Sequence, residues 1–381
     1  MNKTKKLICS AVILTLFITL YPHIVCAEPN ISAQSAILIE STSGRILYSK
    51  NSDQKLPMAS TTKIMTAICA LEYFKGNPDE QAEISQTAAN VEGSSMYLQA
   101  GEQMSLKELL YGLMLSSGND AAVAISERVC ENQEAFVSLM NEKAKQIGLF
   151  NTNFKNPNGL PDEEHYSTAS DMAKLCAYAL KNPTFSEIVK TKNYKISGDK
   201  KAYPRILTNH NKLLSMYEGC VGVKTGFTKA AGRCLVSSAI CDDMQLVCVT
   251  LNAPNDWNDH ISLFNFGFEN YRLERIFDTE NCICTKDVED GEGLAQLYPE
   301  SSVMYPLKNG EKVSYDYTVN SNIQAPVKSN DRLGEIKAIL NDREISKTPI
   351  VSHSNVNKIS FFKLIGNQVK LFFGTWVKIE F

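Results

Sequence analysis

Apolar residues return along this chain at several different periods, and each period predicts a different element. SAILIE (35 to 40) and RILYSKN (45 to 51), separated by a Ser-Thr-Ser-Gly turn, predict a β-hairpin. MASTTKIMTAICALEYF (58 to 74) follows, with Ile64, Met65, Ile68 and Leu71 at helical spacing. From 81 to about 195 the pattern stays mainly helical, through SLKELLYGLMLSS, NDAAVAISERVC, NQEAFVSLMNEKAKQIGL and TASDMAKLCAYAL. Gly222 to Gly226 opens a second β block, continued by RCLVSSAIC, an Asp242-Asp243 turn and MQLVCVTLN; ISLFNFGFENYRL (261 to 273) then has helical spacing again. This order predicts an α/β (α+β) domain whose antiparallel sheet is made from both ends of the segment, with a helical region inserted between its strands.

After about 275 the texture changes to short β-rich runs, ENCICTKDV, EKVSYDYTV and RLGEIKAIL, broken by Gly, Pro, Asn and Asp. They predict a small all-β domain over 275–350, after a first domain over 28–274 and before a linker and terminal helix over 351–381. In that tail Phe361, Phe362, Ile365, Val369, Phe372, Phe373, Trp376 and Ile379 share one helical face, with Lys363, Lys370 and Lys378 opposite. Residues 358–381 therefore suit a helix lying in a membrane surface, the alternative being a helix docked on the protein itself.

The first 27 residues have the form of an export signal: Lys3, Lys5 and Lys6, an apolar run from Leu7 to Leu20, and a small-residue exit at Val25-Cys26-Ala27. The run is shorter than the ~20 residues a membrane span needs, so cleavage after Ala27 is expected rather than a retained anchor. Of 39 basic and 42 acidic residues, cleavage removes three lysines and leaves a net charge of −6. Nothing in that balance, and no motif, points to nucleic acid. Nine of the eleven cysteines remain, scattered through apolar segments, and are expected to be mostly free core thiols rather than a disulfide framework.

Candidate chemistry sits in three short motifs. Ser60 and Lys63 are three apart at the head of a helix, where a lysine kept partly neutral by burial can activate a serine hydroxyl. The spacing alone is cheap, since Ser52-Lys55, Ser197-Lys200 and Ser360-Lys363 share it. Ser117-Gly118-Asn119 lies between two helical runs, and Lys224-Thr225-Gly226 ends the apolar strand GCVGV. Each alone is a turn or a strand end; together, in this order around an inserted helical region, they are specific.

With S-x-x-K, S-x-N and K-T-G the sequence resembles the penicillin-recognising serine enzymes, and more narrowly the low-molecular-weight penicillin-binding proteins that act as serine-type D-alanyl-D-alanine carboxypeptidases. AILIESTSGRILYSKN, SSMYLQAGE, NPNGL, YSTASDMAKL and GVKTGFT carry the likeness further, and NIQAPV and RLGEIK extend it into the β domain. The resemblance implies that Ser60 attacks a peptidoglycan stem peptide ending in D-Ala-D-Ala, Lys63 takes its proton, and Ser117 relays a proton to the leaving amine. It further implies that Asn119 holds the substrate amide, and that Lys224 and Thr225, with Gly226 beside them, engage the terminal carboxylate. The backbone N–H groups of Ser60 and Phe227 would form the oxyanion hole. β-Lactams should acylate the same serine, no cofactor or metal is required, and the enzyme would work at the outer face of the cytoplasmic membrane. Met58 and Val221 stand where relatives often have proline and an acid. In APNDWNDHIS, where an arginine is frequent, only His260 is basic, which leaves the grip on the carboxylate open.

A β-lactamase would share the acylation half but needs a carboxylate to activate water, and Glu131 and Glu134 look like ordinary helix and loop acids. A non-catalytic β-lactam or wall-binding sensor is the reading from another class. A Ser-His-Asp hydrolase finds no G-x-S-x-G, and the acidic run Asp162-Glu163-Glu164-His165 is expected to be a solvated loop rather than a metal site.

Overall fold

The computed structural model describes residues 28–74, 77, 79–130, 132–198, 203–360 and 365. β1 (Ser35–Glu40) is buried at every position, and β2 (Ile46–Lys50) returns antiparallel beside it as the sheet edge. A 3₁₀ turn, Ala59–Thr62, then leads into α1 (Lys63–Tyr73), which is buried at every position from Lys63 to Leu71. A helix apolar all round belongs at the centre of a core. Lys63 is the one charge in that buried run.

The inserted region begins with β3 (Gln81–Glu83), α2 (Gln86–Ala89) and β4 (Gln103–Ser105), the two strands forming a short ribbon. Four longer helices follow: α3 (Leu106–Leu115), α4 (Asn119–Val129), α5 (Gln133–Gln146) and α6 (Ala169–Ala179). Then come α7 (Pro183–Lys190), a second ribbon of β5 (Asn193–Ile196) with β6 (Arg205–Thr208), and the single turn α8 (Leu213–Met216). The helix starts are written locally. Ser105 and Glu108 form a capping box, and the side chains of Asn132, Thr168 and Asn182 each accept the third backbone N–H of their helix. Each such cap is worth roughly 1 kcal/mol.

β7 (Cys220–Thr228), β8 (Gly232–Cys241) and β9 (Met244–Leu251) complete a five-stranded antiparallel sheet in the order β2-β1-β9-β8-β7. One face packs on α1 and α6 through Ile64, Ile68, Val236 and Val249, and the other on α9 (Asp256–Asn270) through Leu235, Leu246, Leu263 and Phe264. The helix expected over 261–273 thus starts earlier, where Asp256 and Asp259 in its first turn complement the helix dipole. It also ends earlier, because Tyr271 opens β10 (Tyr271–Phe277), whose hydrogen bonds go to another strand.

The remaining strands are β11 (Cys284–Asp287), β12 (Leu294–Pro299), β13 (Val303–Lys308), β14 (Ser314–Val319), β15 (Arg332–Leu340) and β16 (Arg343–Ser352). β10 pairs with β13, and the others form a sheet in the order β11-β12-β16-β15-β14 over a separate core containing Phe277, Leu297, Ile336 and Ile350. The pairing of these strands runs from Tyr271, in the β10–β13 pair, to a bridge between Gly291 and Lys358. Arg45, in the β1–β2 turn, joins the two units. Its guanidinium donates to Glu311 Oε1 (2.6 Å) and to the Pro306 carbonyl, and lies 5.2 and 5.3 Å from the ring centres of Tyr271 and Tyr305.

The export signal over 1–27 and the amphipathic tail, apart from 358–360 and Ile365, fall outside the described residues. Among the described residues no helix is long and apolar enough to cross a membrane. The nine cysteines from Cys69 onward are free thiols, and burial pushes Cys69 up to about 12 and Cys234 to about 11.

Candidate active site

The turn that carries Ser60 is held from within. Thr61 donates to the Met58 carbonyl through its N–H (3.2 Å) and its hydroxyl (2.7 Å), and Thr62 Oγ1 bonds the Ala59 carbonyl (2.8 Å). Ala59 is left with φ of +47°, a left-handed conformation that costs a non-glycine residue of order 1–3 kcal/mol. Such strain persists only where the surroundings over-determine it. Here the surroundings include His165, whose Nε2 lies 2.7 Å from Thr62 Oγ1.

Lys63 is 0% exposed, and its Nζ lies beside three oxygens: Ser60 Oγ (3.0 Å), Asn119 Oδ1 (2.8 Å) and the Asn158 carbonyl (2.5 Å). Burial is the main force on its pKa, and the charge of Lys224 adds to it; Asp120 opposes both, and the net result lies well below the usual lysine value. The neutral amine has two N–H groups and a lone pair. Asn119 and Asn158 can keep the two N–H groups, which leaves the lone pair toward Ser60 Oγ, the arrangement of a general base.

The second motif sits in the turn between α3 and α4. Ser117 has φ of +59°, is buried, and among the described residues no hydrogen bond engages its hydroxyl. Asn119 is fixed from both ends: its Nδ2 donates to the Glu92 carbonyl (2.7 Å) and its N–H to the Ser94 carbonyl (2.7 Å). Asp120, which sequence reasoning passed over, fastens the same loop by accepting from Met96 N, Leu98 N (3.1 Å) and Ser95 Oγ (2.6 Å). Arg205 holds the loop's far side, bonding the Met96 and Tyr97 carbonyls and forming a buried bidentate pair with Glu102.

The third motif runs along the edge strand β7. Lys224 is buried and donates to the Thr225 carbonyl (3.0 Å), and burial lowers its pKa to about 7. Gly226 lies against the Ser60 turn, so that a Cβ there would stand 3.1 Å from both Met58 O and Ser60 N. That approach explains the glycine and brings the backbone of 226–227 alongside Ser60 N. Thr225 is half-buried, and the Phe227 ring is exposed.

The structure therefore joins Ser60, Lys63 and Asn119 directly, and brings Lys224 and Gly226 against them. It adds a shelf made by NPNGL. Asn156 Oδ1 accepts from Gly159 N (2.7 Å) and Leu160 N (3.1 Å), and Thr66 Oγ1 donates to Pro157 O (2.6 Å), which places Asn158 O over Lys63. Asn-Pro-Asn-Gly was legible as a turn, but a role played by a main-chain carbonyl has no side-chain signature. His210 is a further titratable group near the site. Its N–H donates to Leu115 O (3.2 Å), and its pKa is lowered by burial and then by Lys224.

Packing decides the place of two histidines, and for His165 it corrects the expected solvated loop. His260 lies on the α9 side of the sheet, bonded to Ser237 Oγ and Thr250 Oγ1 (2.9 Å), and full burial takes it down to about 3. It is neutral and faces away from Lys224, so it takes no part in gripping a carboxylate. His165 does not share the solvated loop of its acidic neighbours: Tyr166 and Ser167 bridge to Asn153 and Leu56, which turns the ring inward. Burial lowers it to about 4, and its Nδ1 accepts from Lys155 N (3.0 Å). Among the described residues no cluster of His, Cys, Asp and Glu is placed to hold a metal.

A family model described as D-alanyl-D-alanine carboxypeptidase matches residues 23–255, and one described as Penicillin-binding protein 5, C-terminal domain, matches 271–358. The chain is 34% identical over 360 residues to D-alanyl-D-alanine carboxypeptidase DacF of Bacillus subtilis (strain 168), covering 91% of each. It is 32% identical over 368 residues to DacC of Escherichia coli (strain K12), covering 91% of this chain and 90% of that one. Among solved structures it is similar to penicillin binding protein 5 from Haemophilus influenzae, with a TM-score of 0.73 and 29% identity over 87% of this chain and 99% of that one.

Proposed function

The chain belongs to the D-alanyl-D-alanine carboxypeptidase family of low-molecular-weight penicillin-binding proteins, and on that premise we propose that it removes the terminal D-alanine from peptidoglycan stem peptides through an acyl-enzyme on Ser60. Lys63 takes the Ser60 proton as Oγ bonds to the carbonyl carbon of the penultimate D-alanine. Negative charge on the carbonyl oxygen meets the backbone N–H groups of Ser60 and Phe227, a preorganised arrangement that typically supplies several kcal/mol. The C–N bond then breaks, Ser117 passes a proton to the leaving amine, and D-alanine departs. The proton held by Lys63 replaces the one Ser117 gave up. Neutral Lys63 then takes a proton from the water that attacks the ester carbonyl and passes it to Ser60 Oγ as the Oγ–C bond breaks, freeing the shortened peptide.

Asn119 orients both Lys63 and the substrate amide, while Lys224 and Thr225 receive the terminal carboxylate beside Gly226. β-Lactams, which present an amide and a carboxylate in the same relation, acylate Ser60. Export by residues 1–27 and attachment of residues 358–381 to the membrane surface place this chemistry on the outer face of the cytoplasmic membrane.

The observation that carries the reading is a fully buried lysine 3.0 Å from a serine hydroxyl. Release of D-alanine from diacetyl-L-Lys-D-Ala-D-Ala tests it. Turnover by the mature chain and none by Ser60→Ala is expected; equal release by both would overturn the assignment.

A further inference from the structure

Beside the nucleophile turn lies a cavity of about 510 Å³ that no step above uses. Its floor is apolar, formed by Leu56, Pro57, Tyr166 and Ala230. Pro57 is three residues before Ser60, the Leu56 backbone is tied to Ser167 (2.8 and 3.0 Å), and Ala230 follows the end of β7. The proposed reaction runs along β7 in a fixed order: carboxylate at Lys224 and Thr225, scissile carbonyl at Phe227. The substrate residues upstream of that carbonyl therefore continue toward Ala230 and the cavity.

Three charged side chains line the same space. Lys55 holds its ammonium 4.7 Å from the centre of the Tyr166 ring, a cation–π contact that restrains it, and Asp162 and Glu163 belong to the facing loop. The neighbouring charges are already engaged, since Lys155 and Glu164 pair with each other at 2.9 Å, and buried His165 is neutral. The wall thus offers one cation and two anions over an apolar floor.

We propose, resting on the carboxypeptidase reading, that this cavity receives the side chain of the third stem-peptide residue and prefers one ending in an α-amino-acid head, an ammonium and a carboxylate on one carbon, to one ending in an amine alone. The head's ammonium meets Asp162 and Glu163 while its carboxylate meets Lys55. An amine-ended chain satisfies the acids but places a like charge near Lys55, and an acylated amine satisfies neither. Because the groups are solvated, the preference is modest, about fivefold.

The test compares kcat/KM for D-alanine release from N-acetylated peptides X-D-Ala-D-Ala in which X is meso-diaminopimelate, L-lysine or Nε-acetyl-L-lysine. The same comparison follows for Lys55→Glu, with the ratio between peptides as the readout, so that partial loss of active protein does not enter. Preference for meso-diaminopimelate in the wild type and a reversed order in Lys55→Glu is expected. Equal kcat/KM for the three peptides, or an unchanged ratio in Lys55→Glu, overturns the inference while leaving the carboxypeptidase reading intact. No release from any of the peptides overturns both.

Discussion

Gly159→Ala strikes a close backbone contact of the turn that carries Ser60. Gly159 has φ of +87°, and a methyl there would stand 2.0 Å from Ala59 O, 2.4 Å from Ala59 C and 2.9 Å from Ser60 N. A carbon approaches a carbonyl oxygen to about 3.3 Å, so one backbone must retreat by roughly an ångström. Neither is free to do so cheaply. Ala59 O accepts from Thr62 Oγ1, and the Gly159 segment is held by Asn156 and by Lys63 through Asn158 O. The left-handed backbone costs an alanine roughly 1–2 kcal/mol, and the overlap about 1–3 kcal/mol more. At about 2–4 °C per kcal/mol for a domain of this size, melting should fall by roughly 5–15 °C. Gly101→Ala separates the two terms: its φ is +81° but nothing lies within 4 Å, so only the backbone term applies. Displacing Ser60 by about 1 Å should slow acylation by a fluorescent penicillin on the order of 100-fold in Gly159→Ala and leave Gly101→Ala near wild type. Gly159→Ala melting with Gly101→Ala and acylating within twofold of wild type would refute the reasoning.

Three other outcomes follow from the same structure. Burial keeps His260 near 3 and His165 near 4, below the 6.5 of an unfolded chain, so both bind protons on unfolding and stability should decline as pH falls from about 6.5 toward 4. Denaturant titrations at stepped pH should show that slope, and His260→Gln should flatten it. Arg45→Ala removes the bond to Glu311 and the ring contacts that join the two units. Calorimetry should then resolve a separate, lower-melting transition for the β-rich unit, with penicillin acylation unaltered. Removing either Arg205 or Glu102 strands a buried charge and should cost about 3–5 kcal/mol. The double substitution to alanine should cost much less than the sum of the two, and additivity would contradict the pairing.

What the sequence conceals follows from how each residue acts. The proposed roles of Ser60, Lys63, Asn119 and Lys224 rest on side-chain type and spacing, so three short motifs locate them in the sequence. Asn158 acts through its carbonyl and Gly159 through the methyl it lacks, and a turn signal cannot distinguish either from an ordinary loop. His260 and His165 show the limit for side chains. Both are polar residues among polar neighbours, and only the packing of α9 and the bridge from Leu56 to Ser167 decide that they point inward. The β3–β4 and β5–β6 ribbons, of three and four residues per strand, are too short for a period to register. Tyr-Arg-Leu after α9 fits a helix or a strand equally, and its pairing with β13 makes the choice.

The central claim is that Lys63 makes Ser60 a nucleophile. Peptide mapping by mass spectrometry of the mature chain after benzylpenicillin treatment tests it most directly, with Lys63→Gln run beside the wild type and far-ultraviolet circular dichroism confirming that the variant is folded. A single penicilloyl adduct on the peptide containing Ser60, absent from Lys63→Gln, is predicted. An adduct on Ser117 or elsewhere, or one formed as fast without the Lys63 amine, would contradict it.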